Sequence, residues 1–387
     1  RSSRSVVRLP KRAKKWSKAS GMRYQLGPVS NRNPSRSHSP NLPPTSAEPG
    51  RWRTDRTPYL RAVMDALSTS SPYERVVLMK GAQTGGSEAG LNWLGYIIQN
   101  APGIAMLVMP SLDMVRRNTT VRIDPLIEES PELRALVMPS RSKDSGNTIL
   151  GKRFPGGQLI LTGANSAVGL RSMPARWVFL DEVDAYPGDL DGEGDPIALA
   201  EARTISFGHR SKLFLASTPT VKGLSRIERE YELSDQQRYH VPCPHCGALQ
   251  WLKFERLRWQ PGRPETARYV CEHCDQPIAE RHKTEMMDEA NGATWMPTAE
   301  PEMLERAQAA GIVGYHISGL YSPLGWLSWS KIAQDWEQAV GNEAALKTLK
   351  NTVLGETWQE RGEAPDWQRL YERREDWHLG EVPQRAL

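Results

Sequence analysis

The stretch Arg75-Val-Val-Leu-Met-Lys80-Gly-Ala-Gln-Thr-Gly85-Gly-Ser-Glu88 decides the fold of this chain. Its first part, Val76 to Met79, is a continuous apolar run of the kind found in parallel strands that are covered on both faces. From Ser87 onward, apolar residues recur at helical spacing. A strand, a glycine-rich turn and a helix N-terminus in succession predict a phosphate-binding loop, because free backbone N–H groups and the helix dipole converge on one point.

The lysine of this loop stands at an unusual position. The common phosphate-loop pattern, G-x-x-x-x-G-K-[ST], places lysine on the β- and γ-phosphates and the hydroxyl on Mg²⁺. When the pattern is aligned on Gly85 and Ser87, Gly86 occupies the lysine position and Lys80 occupies the position of the first glycine. A flexible four-carbon ammonium side chain can also reach the phosphates from the front of the loop. Taken alone, the pattern also fits a generic glycine-rich turn.

Two carboxylates follow a second apolar run. Trp177-Val-Phe-Leu180 predicts a strand, and Asp181 and Glu182 come directly after it. Ligands bind at the carboxyl ends of strands in open α/β sheets. A reaction of a Mg²⁺–nucleotide needs one carboxylate to hold the ion, here Asp181, and a second to orient or deprotonate the attacking water, here Glu182. The alternative is a helix N-terminus with favourable acids, but a phosphate loop in the same chain favours catalysis.

The remaining apolar runs predict the fold class. Further strands are predicted at Ile104–Met109, Gly157–Thr162 and Lys212–Ala216, and Gly314–Leu320 is predicted to return to the sheet. Helices are predicted at Leu60–Leu67, Ser111–Val121, Ile127–Met138, Trp329–Ala339 and Glu343–Leu354. Strands that alternate with helices imply right-handed βαβ units and a mainly parallel sheet flanked by helices. The predicted fold is α/β, a P-loop NTPase of the additional-strand (ASCE) type.

Three other features are candidates for the same site. Ser217, Thr218 and Pro219 end a predicted strand, where small hydroxyl groups could sense the γ-phosphate, although an ordinary turn has the same composition. Arg171 ends a glycine-rich loop and could stabilise charge during phosphoryl transfer, or could simply be solvated. Tyr59 precedes the phosphate-loop strand and could stack on the base, or could be a packed surface aromatic.

All four cysteines stand in two C-x-x-C pairs, Cys243/Cys246 and Cys271/Cys274, with 24 residues between the pairs. Each pair predicts a tight turn that points two thiolates at one spot, and two such turns complete a tetrahedral Zn–S₄ site with a hairpin between them. A closed Cys₄ site leaves no open coordination position, so we expect structural zinc; redox chemistry is the alternative. His240, His245 and His273 lie close by and are expected to remain outside the ligand set.

Composition excludes other classes of protein. The chain has 387 residues, of which 39% are hydrophobic and 25% are charged, as in soluble globular proteins. No apolar run has the length of a membrane span, and the start shows no signal peptide. The sequence does not begin with methionine, which we interpret as a trimmed or fragmentary chain.

Charge is concentrated at the beginning. Residues 1–47 hold eleven Lys and Arg but no Asp or Glu, so the net charge of +5 arises from this segment. Its richness in Pro, Ser, Asn and Arg predicts a disordered basic arm. The arm could contact nucleic acid or could be a solvated extension.

With these residues in hand, the chain resembles the tailed-phage terminase large subunits of the lambda-type (GpA) family from about Gly50 onward. The motifs that carry the resemblance are Lys80–Ser87, Asp181-Glu182, Ser217-Thr-Pro219, Cys243-Pro-His-Cys246-Gly, Cys271-Glu-His-Cys274, Tyr321-Ser-Pro323 and Asn351-Thr-Val-Leu-Gly-Glu-Thr-Trp358. The resemblance implies an ATPase motor that drives double-stranded DNA into a procapsid in the host cytoplasm. It also implies a portal, a terminase small subunit and a homo-oligomeric ring as partners, with no membrane.

The resemblance further implies roles for single residues. Lys80, Gly81, Gly85 and Ser87 would hold the phosphates and Mg²⁺. With the rest of the loop, the first acid and the aromatic candidate, the predicted nucleotide-binding set is Lys80, Gly81, Gln83, Thr84, Gly85, Gly86, Ser87, Asp181 and Tyr59. Ser87 and Asp181 would hold Mg²⁺, and Lys80, Glu182 and Arg171 would act on the transferred phosphoryl group, Arg171 from a neighbouring subunit. Ser217–Pro219 would couple hydrolysis to movement.

Domain boundaries follow from these positions. We predict a basic arm at 1–47, an ATPase core at 48–239, a zinc-binding module at 240–300 and a segment that completes the ATPase domain at 301–358. Residues 359–387 are charged and are predicted to be a linker. The family's nuclease domain would begin where this chain stops, so we expect no nuclease activity from this chain.

Two alternatives remain from the sequence. A superfamily-2-type helicase or DNA remodeller shares a phosphate loop and a DE pair, but it needs a second nucleotide-binding lobe, and nothing after Pro219 repeats the strand–loop–helix pattern. A non-enzymatic zinc-ribbon DNA-binding module on a degenerate ATPase fold is the other. The displaced lysine supports it, and the retention of Glu182 argues against it.

Overall fold

A computed structural model describes residues 41–42, 46, 48–137, 146–190 and 192–359. The strands, several of which carry a predicted motif at the carboxyl end, are numbered along the chain. In chain order they are β1 (Asn41–Leu42), β2 (Gly50–Arg51), β3 (Arg75–Lys80), β4 (Ile104–Met109), β5 (Gly151–Phe154), β6 (Gly157–Gly163), β7 (Trp177–Asp181), β8 (Lys212–Ser217), β9 (Gln237–Pro242), β10 (Leu249–Trp251), β11 (Leu257–Gln260), β12 (Arg263–Val270), β13 (Pro277–Ile278), β14 (Thr294–Pro297) and β15 (Ile312–Ile317).

A ten-stranded, mainly parallel sheet forms the body of the protein, in the order β10-β9-β15-β3-β8-β7-β4-β6-β5, with β14 paired to β9. The strands from β9 to β6 in this order run parallel, and β5, β10 and β14 are antiparallel to their neighbours. β8 lies between β3 and β7, which is the additional-strand arrangement. The predicted α/β fold of a P-loop NTPase is confirmed.

Helices cover this sheet. They are α1 (Leu60–Ala66), α2 (Gly86–Asn100), α3 (Leu112–Asn118), α4 (Asp124–Glu129), α5 (Pro131–Leu136), α6 (Ala167–Arg171), α7 (Pro196–Glu201), α8 (Arg226–Glu232), α9 (Lys283–Met287), α10 (Pro301–Ala309), α11 (Trp329–Ala339) and α12 (Glu343–Thr348). No helix in the described part of the chain is long and apolar enough to cross a membrane.

Three predicted helices differ from the observed ones. The helix predicted at Ile127–Met138 is broken, because Pro131 cannot donate a backbone hydrogen bond and forces Ser130 into an extended conformation. The helices predicted at Ser111–Val121 and Glu343–Leu354 both continue as π-helices, Thr119–Ile123 and Leu349–Leu354. Periodicity alone does not reveal such a widened turn.

Aromatic packing fixes the helix of the phosphate loop on the sheet. Phe179 of β7 stacks on Phe214 of β8 at a centroid distance of 4.9 Å. Trp93 of α2 packs edge-on against Phe214 and Trp177. All four rings are buried, and each buried aromatic stabilises the fold by roughly 2–3 kcal/mol. The loop between β3 and α2 is therefore anchored at both ends in the core.

The basic arm is shorter than predicted. Asn41–Leu42, which we had placed in the disordered segment, pairs with Gly50–Arg51. The backbone N–H of Asn41 also donates to Ser130 Oγ at 3.1 Å. Residues 1–40 of the arm, like residues 360–387 of the predicted linker, lie outside the described residues.

The two cysteine pairs lie next to β9 and β10, at one end of the large sheet. β9 leads into Cys243, and the three-stranded sheet β11-β12-β13 leads into and out of Cys271 and Cys274, with β11 and β12 forming the hairpin between the pairs. Trp259 of this hairpin donates to Glu337 of α11 at 2.9 Å. The chain then returns through β15, which lies parallel and adjacent to β3.

Candidate functional site

Three adjacent strands bring the predicted motifs to one edge of the sheet. β3, β8 and β7 are parallel neighbours, so the residues that follow them meet at their carboxyl ends. Lys80 ends β3, Ser217 ends β8, and Asp181 ends β7. Residues that are separated by up to 137 positions in sequence are therefore brought together at the N-terminus of α2.

Lys80 explains the glycine that replaces the usual lysine. Its side chain is buried, and its Nζ lies 2.8 Å from Glu182 Oε1. A Cβ atom added to Gly86 would lie 2.4 Å from Cδ of Lys80. The alkyl chain of Lys80 thus fills the space next to Gly86, and a side chain at position 86 would displace it. The early lysine and Gly86 are two parts of one arrangement.

The loop itself has a constrained backbone. Gln83 is exposed and has a φ of +58°, a left-handed conformation that few non-glycine residues adopt. Gly85 has a φ of +80° and begins α2. The first N–H groups of a helix have no partner within it, so those at the start of α2 can donate to a bound anion.

The structure changes two predicted nucleotide contacts. The N–H of Gly81 donates to Ile317 O at 2.8 Å, so it cannot bind a phosphate oxygen. The hydroxyl of Thr84 donates to Gly81 O at 2.9 Å, and the residue is buried. Both residues shape the loop from within, which the sequence pattern could not distinguish from ligand contact.

Asp181 lies beside the hydroxyl of Ser87. Ser87 Oγ donates to Asp181 Oδ1 at 3.3 Å. Burial raises the pKa of Asp181 to about 6, although the nearby ammonium group of Lys80 opposes the shift. A bound cation would stabilise the charged form of this buried carboxylate. The hydroxyl of Ser87 and the carboxylate of Asp181 are oxygen ligands that meet at the start of α2, and Mg²⁺ prefers oxygen ligands.

Glu182 is held in an unusual conformation. Its φ is +55°, in the left-handed region, and its N–H donates to Ala216 O at 2.7 Å. One carboxylate oxygen contacts Lys80, and the other accepts from the N–H of Thr218 at 3.5 Å. Strained backbone at a carboxylate of this kind is typical of functional sites. The carboxylate therefore lies between the ammonium group of Lys80 and the backbone of Thr218.

Ser217 and Thr220, on either side of Thr218 and Pro219, contact the loop that follows the two acids. Ser217 is buried, and its Oγ accepts from the N–H of Asp184 at 3.2 Å. Asp184, which the sequence analysis did not select, also accepts from Thr220 Oγ1 at 2.7 Å and from the N–H of Ile227 at 2.8 Å. The turn after β8 is thereby tied to the carboxyl end of β7 and to α8.

The prediction that Tyr59 stacks on the base is wrong. Its side chain is fully buried, packs edge-on against Tyr239 at a centroid distance of 6.1 Å, and donates to Thr84 O at 3.1 Å. No face of the ring is open to a base. The Tyr59 ring supports the phosphate loop from the side of the protein core. Its contact with Tyr239 could not be predicted, because the two residues are far apart in sequence.

Arg171 lies away from the phosphate loop of its own chain. It ends α6, which follows β6, and β6 is separated from β3 by β4, β7 and β8. At about 4.8 Å per strand, this is roughly 19 Å across the sheet. Arg171 forms an ion pair with Glu193, and its side chain is 49% exposed. Arg171 is therefore a half-exposed residue that lies far from Lys80 of its own chain.

The four cysteines form one cluster. Their sulfur atoms all lie within 4.8 Å of one another. The two turns are alike: the N–H groups of His245 and His273 each donate at 3.4 Å to the first sulfur of their own pair. Four converging sulfur donors fit a tetrahedral metal of the zinc type.

The neighbouring histidines hold the two turns together. His245 Nε2 lies 3.2 Å from Pro277 O, and His273 Nε2 lies 3.3 Å from Leu249 O, so each ring reaches the chain beside the other pair. His240 Nδ1 contacts the carbonyl of Arg238. None of the three belongs to the described metal-ligand cluster.

Residues 349–358 also contribute to the site, although the sequence predicts only the end of a helix and a family motif there. Thr352 O accepts from the N–H of Ala82 at 2.5 Å. A Cβ atom added to Gly81 would lie only 2.4 Å from Val353 O. We call residues 349–358 the strap. It packs directly on the phosphate loop.

Comparison with known proteins gives consistent matches. The family model of the phage terminase large subunit gpA ATPase domain matches residues 46–295, and that of the terminase large subunit gpA endonuclease domain matches residues 312–387. The terminase large subunit of Escherichia phage lambda is 31% identical over 367 residues, which cover 89% of this chain and 55% of that protein. The corresponding subunit of Enterobacteria phage P21 is 31% identical over 348 residues, which cover 85% and 53%. The chain thus spans about half the length of the curated relatives it matches.

Solved structures are also similar. The HK97 bacteriophage large terminase has a TM-score of 0.49 and 11% identity, and the match covers 82% of this chain and 53% of that one. The Thermus phage P74-26 large terminase ATPase domain has a TM-score of 0.41 and 14% identity, covering 76% and 92%.

One expectation is corrected by these matches. We expected the chain to stop before the nuclease region, but the endonuclease model matches residues 312–387. Its first matched residues, Ile312–Ile317, form β15 of the ATPase sheet. The region that the nuclease model recognises therefore begins within the sheet that holds the phosphate loop.

Proposed function

Because this chain belongs to the gpA family of phage terminase large subunits, we propose that it is the ATP-hydrolysing motor subunit that moves double-stranded DNA into a procapsid. The observation that carries the proposal is the contact of Lys80 with Glu182 beside the Ser87–Asp181 pair. These four side chains supply the phosphate-binding cation, the water-orienting carboxylate and two metal ligands of an NTP-hydrolysing site.

The chemistry follows from this arrangement. Ser87 and Asp181 would hold Mg²⁺, which neutralises the charge that develops on the phosphate oxygens. Lys80 turns from Glu182 to the γ-phosphate, a stronger partner because it carries more negative charge. Glu182 is then free to orient or deprotonate a water molecule, whose oxygen attacks the γ-phosphorus while the bond to the ADP oxygen breaks. The contact between Thr218 N–H and Glu182 conveys the change to Ser217–Pro219.

DNA-stimulated ATPase activity tests this function. We expect DNA-stimulated hydrolysis in the wild type and a loss of about 10²–10³-fold in Lys80→Ala, because one charged contact to the transition state contributes that much. Lys331→Ala, which removes an exposed lysine of α11 from an i,i+4 pair with Asp335, is the matched control. Strand displacement is measured on the same DNA. Unwinding would favour a helicase, and no hydrolysis in any oligomeric or procapsid-bound form would refute the motor.

Arg171 is proposed to act on the neighbouring subunit of a homo-oligomeric ring. Its distance from Lys80 of its own chain and its exposure support this role. Such a ring would be assembled on a portal, with the terminase small subunit and DNA as further partners, in the host cytoplasm. If mixtures of Arg171→Ala and Lys80→Ala subunits never exceed the activity of either variant alone, action across the interface is contradicted.

Structural zinc is proposed for the cysteine cluster. We expect one zinc ion per chain, and we expect Cys271→Ser to lose it and to lower the melting temperature, because an S₄ site stabilises the fold that builds it. His273→Asn removes a ring beside the cluster but no ligand, so it should keep the ion. Metal analysis with thermal unfolding, with and without a chelator, measures both. Equal zinc in Cys271→Ser and wild type would exclude the site.

DNA cleavage is proposed as a second activity of the protein. It rests on the match of the endonuclease model to residues 312–387. Conversion of supercoiled DNA to nicked or linear forms in the presence of Mg²⁺ or Mn²⁺ tests it, and intact DNA under all these conditions would contradict it.

A further inference from the structure

The strap contacts the backbone of the phosphate loop at the catalytic lysine. A Cβ atom on Gly355 would lie 2.6 Å from the nitrogen of Gly81 and 2.7 Å from the carbonyl carbon of Lys80. Gly355 also has a φ of +65°. Together with the hydrogen bond from Ala82 to Thr352, this places two backbones in direct contact with no side chain between them. A movement of the Lys80–Gly81 peptide must therefore move the strap.

His316 holds the strap in this position. It lies on β15 next to Met79 of β3 and is buried. Its Nε2 is 2.8 Å from Gly355 O, and its Nδ1 contacts the guanidinium group of Arg238. A carbonyl only accepts and a guanidinium only donates, so Nε2 carries the proton and the ring is neutral. Burial lowers the pKa of His316 well below its usual value, and Arg238 lowers it further.

The other end of the strap contacts the turn that follows Ser217–Pro219. The N–H of Trp358 donates to Thr220 O at 2.8 Å, and the N–H of Lys222 donates to Trp358 O at 2.9 Å. Thr220 in turn donates to Asp184 in the loop after Glu182. The seven residues from Thr352 to Trp358 thus join the phosphate loop to the turn after β8 by backbone contacts at both ends.

We propose that the strap is a second coupling element, which conveys the position of Lys80 to the turn at 220–222, with His316 as its positioning residue. The proposal rests on the proposed ATPase function and goes beyond the direct contact between Glu182 and Thr218. Coupling needs an element that both sites bias. The strap meets this requirement, since Lys80 changes partner when phosphate binds and the strap touches its peptide.

Hydrogen exchange of single amides, with and without a non-hydrolysable ATP analogue, tests the proposal. In the wild type, we expect the analogue to slow exchange at 80–88, and to change exchange of the Lys222 and Trp358 amides about tenfold, within the usual range of allosteric coupling. In Gly355→Ala, the added Cβ must push the strap away from the Lys80–Gly81 peptide. We therefore expect the response at 222 and 358 to fall below twofold, while a response to the analogue remains at 80–88. Gly341→Ala is the control, since Gly341 has a φ of +85° but nothing within 4 Å of an added Cβ.

A pair of His316 variants keeps the test independent of the glycine. His316→Leu removes the hydrogen bond to Gly355 and should lose the response at 222 and 358, whereas His316→Asn keeps a donor and an acceptor and should retain part of it. If His316 had only a structural role, both variants would be less stable, and their exchange responses at 222 and 358 would not differ from each other. No response at 80–88 in the wild type would refute the nucleotide site itself. An undiminished response at 222 and 358 in Gly355→Ala or His316→Leu would overturn the coupling role alone.

Discussion

Glu182→Gln is expected to reduce kcat for ATP hydrolysis by about 10²–10⁴-fold, the contribution of a positioned general base. The variant is also expected to bind ATP more tightly than the wild type. Glu182 Oε1 lies 2.8 Å from Lys80 Nζ and competes with the phosphates for that ammonium group. Glutamine retains the size of the side chain and removes the negative charge, so Lys80 gains freedom to bind the γ-phosphate.

The combination of slower hydrolysis and tighter binding separates this role from a structural one. Single-turnover hydrolysis gives the chemical step, and titration with a fluorescent ATP analogue gives the affinity. Glu305→Gln, on the exposed face of α10, removes the same charge far from the site and should change neither. Weaker nucleotide binding in Glu182→Gln would show that Glu182 holds the loop together, and a kcat within threefold of wild type would remove it from catalysis.

The parts of the site that could be predicted are local in sequence. A buried strand followed by glycines, or by two acids, places its functional residues by strand geometry alone, and both β3 and β7 were found as expected. Paired cysteines likewise fix their own turns. In each case the residues that act are within a few positions of the pattern that reveals them.

The parts that could not be predicted depend on distant contacts. Tyr59 stands at a sequence position that fits a surface aromatic near a nucleotide. Only its contact with Tyr239 shows that it belongs to the core. Gly81 looks like a phosphate-binding glycine until its N–H is seen to donate to Ile317, which lies more than two hundred positions later. The strap begins with the π-helix Leu349–Leu354, which ends at Gly355, and its role follows from what it packs against.

Gly86 provides the sharpest test of the displaced lysine. An added Cβ at position 86 would lie 2.4 Å from Lys80 Cδ and 2.9 Å from Cε, so Lys80 must move. We expect Gly86→Ala to lower kcat/KM for ATP by about 10²–10³-fold, the scale of losing one charged contact. Gly95→Ala lies on the same helix, where the nearest atom to an added Cβ is 3.4 Å away, and it should remain close to wild type.

The mechanism predicts strong non-additivity. If Gly86→Ala acts only by displacing Lys80, then Gly86→Ala combined with Lys80→Ala should be no worse than Lys80→Ala alone, because the displaced chain is already absent. ATPase rates of the two single variants and the double variant complete the cycle, with thermal unfolding to confirm that each is folded. Additive losses would mean that Gly86 acts independently of Lys80, as an ordinary loop glycine does, and that an added Cβ does not act by displacing the lysine.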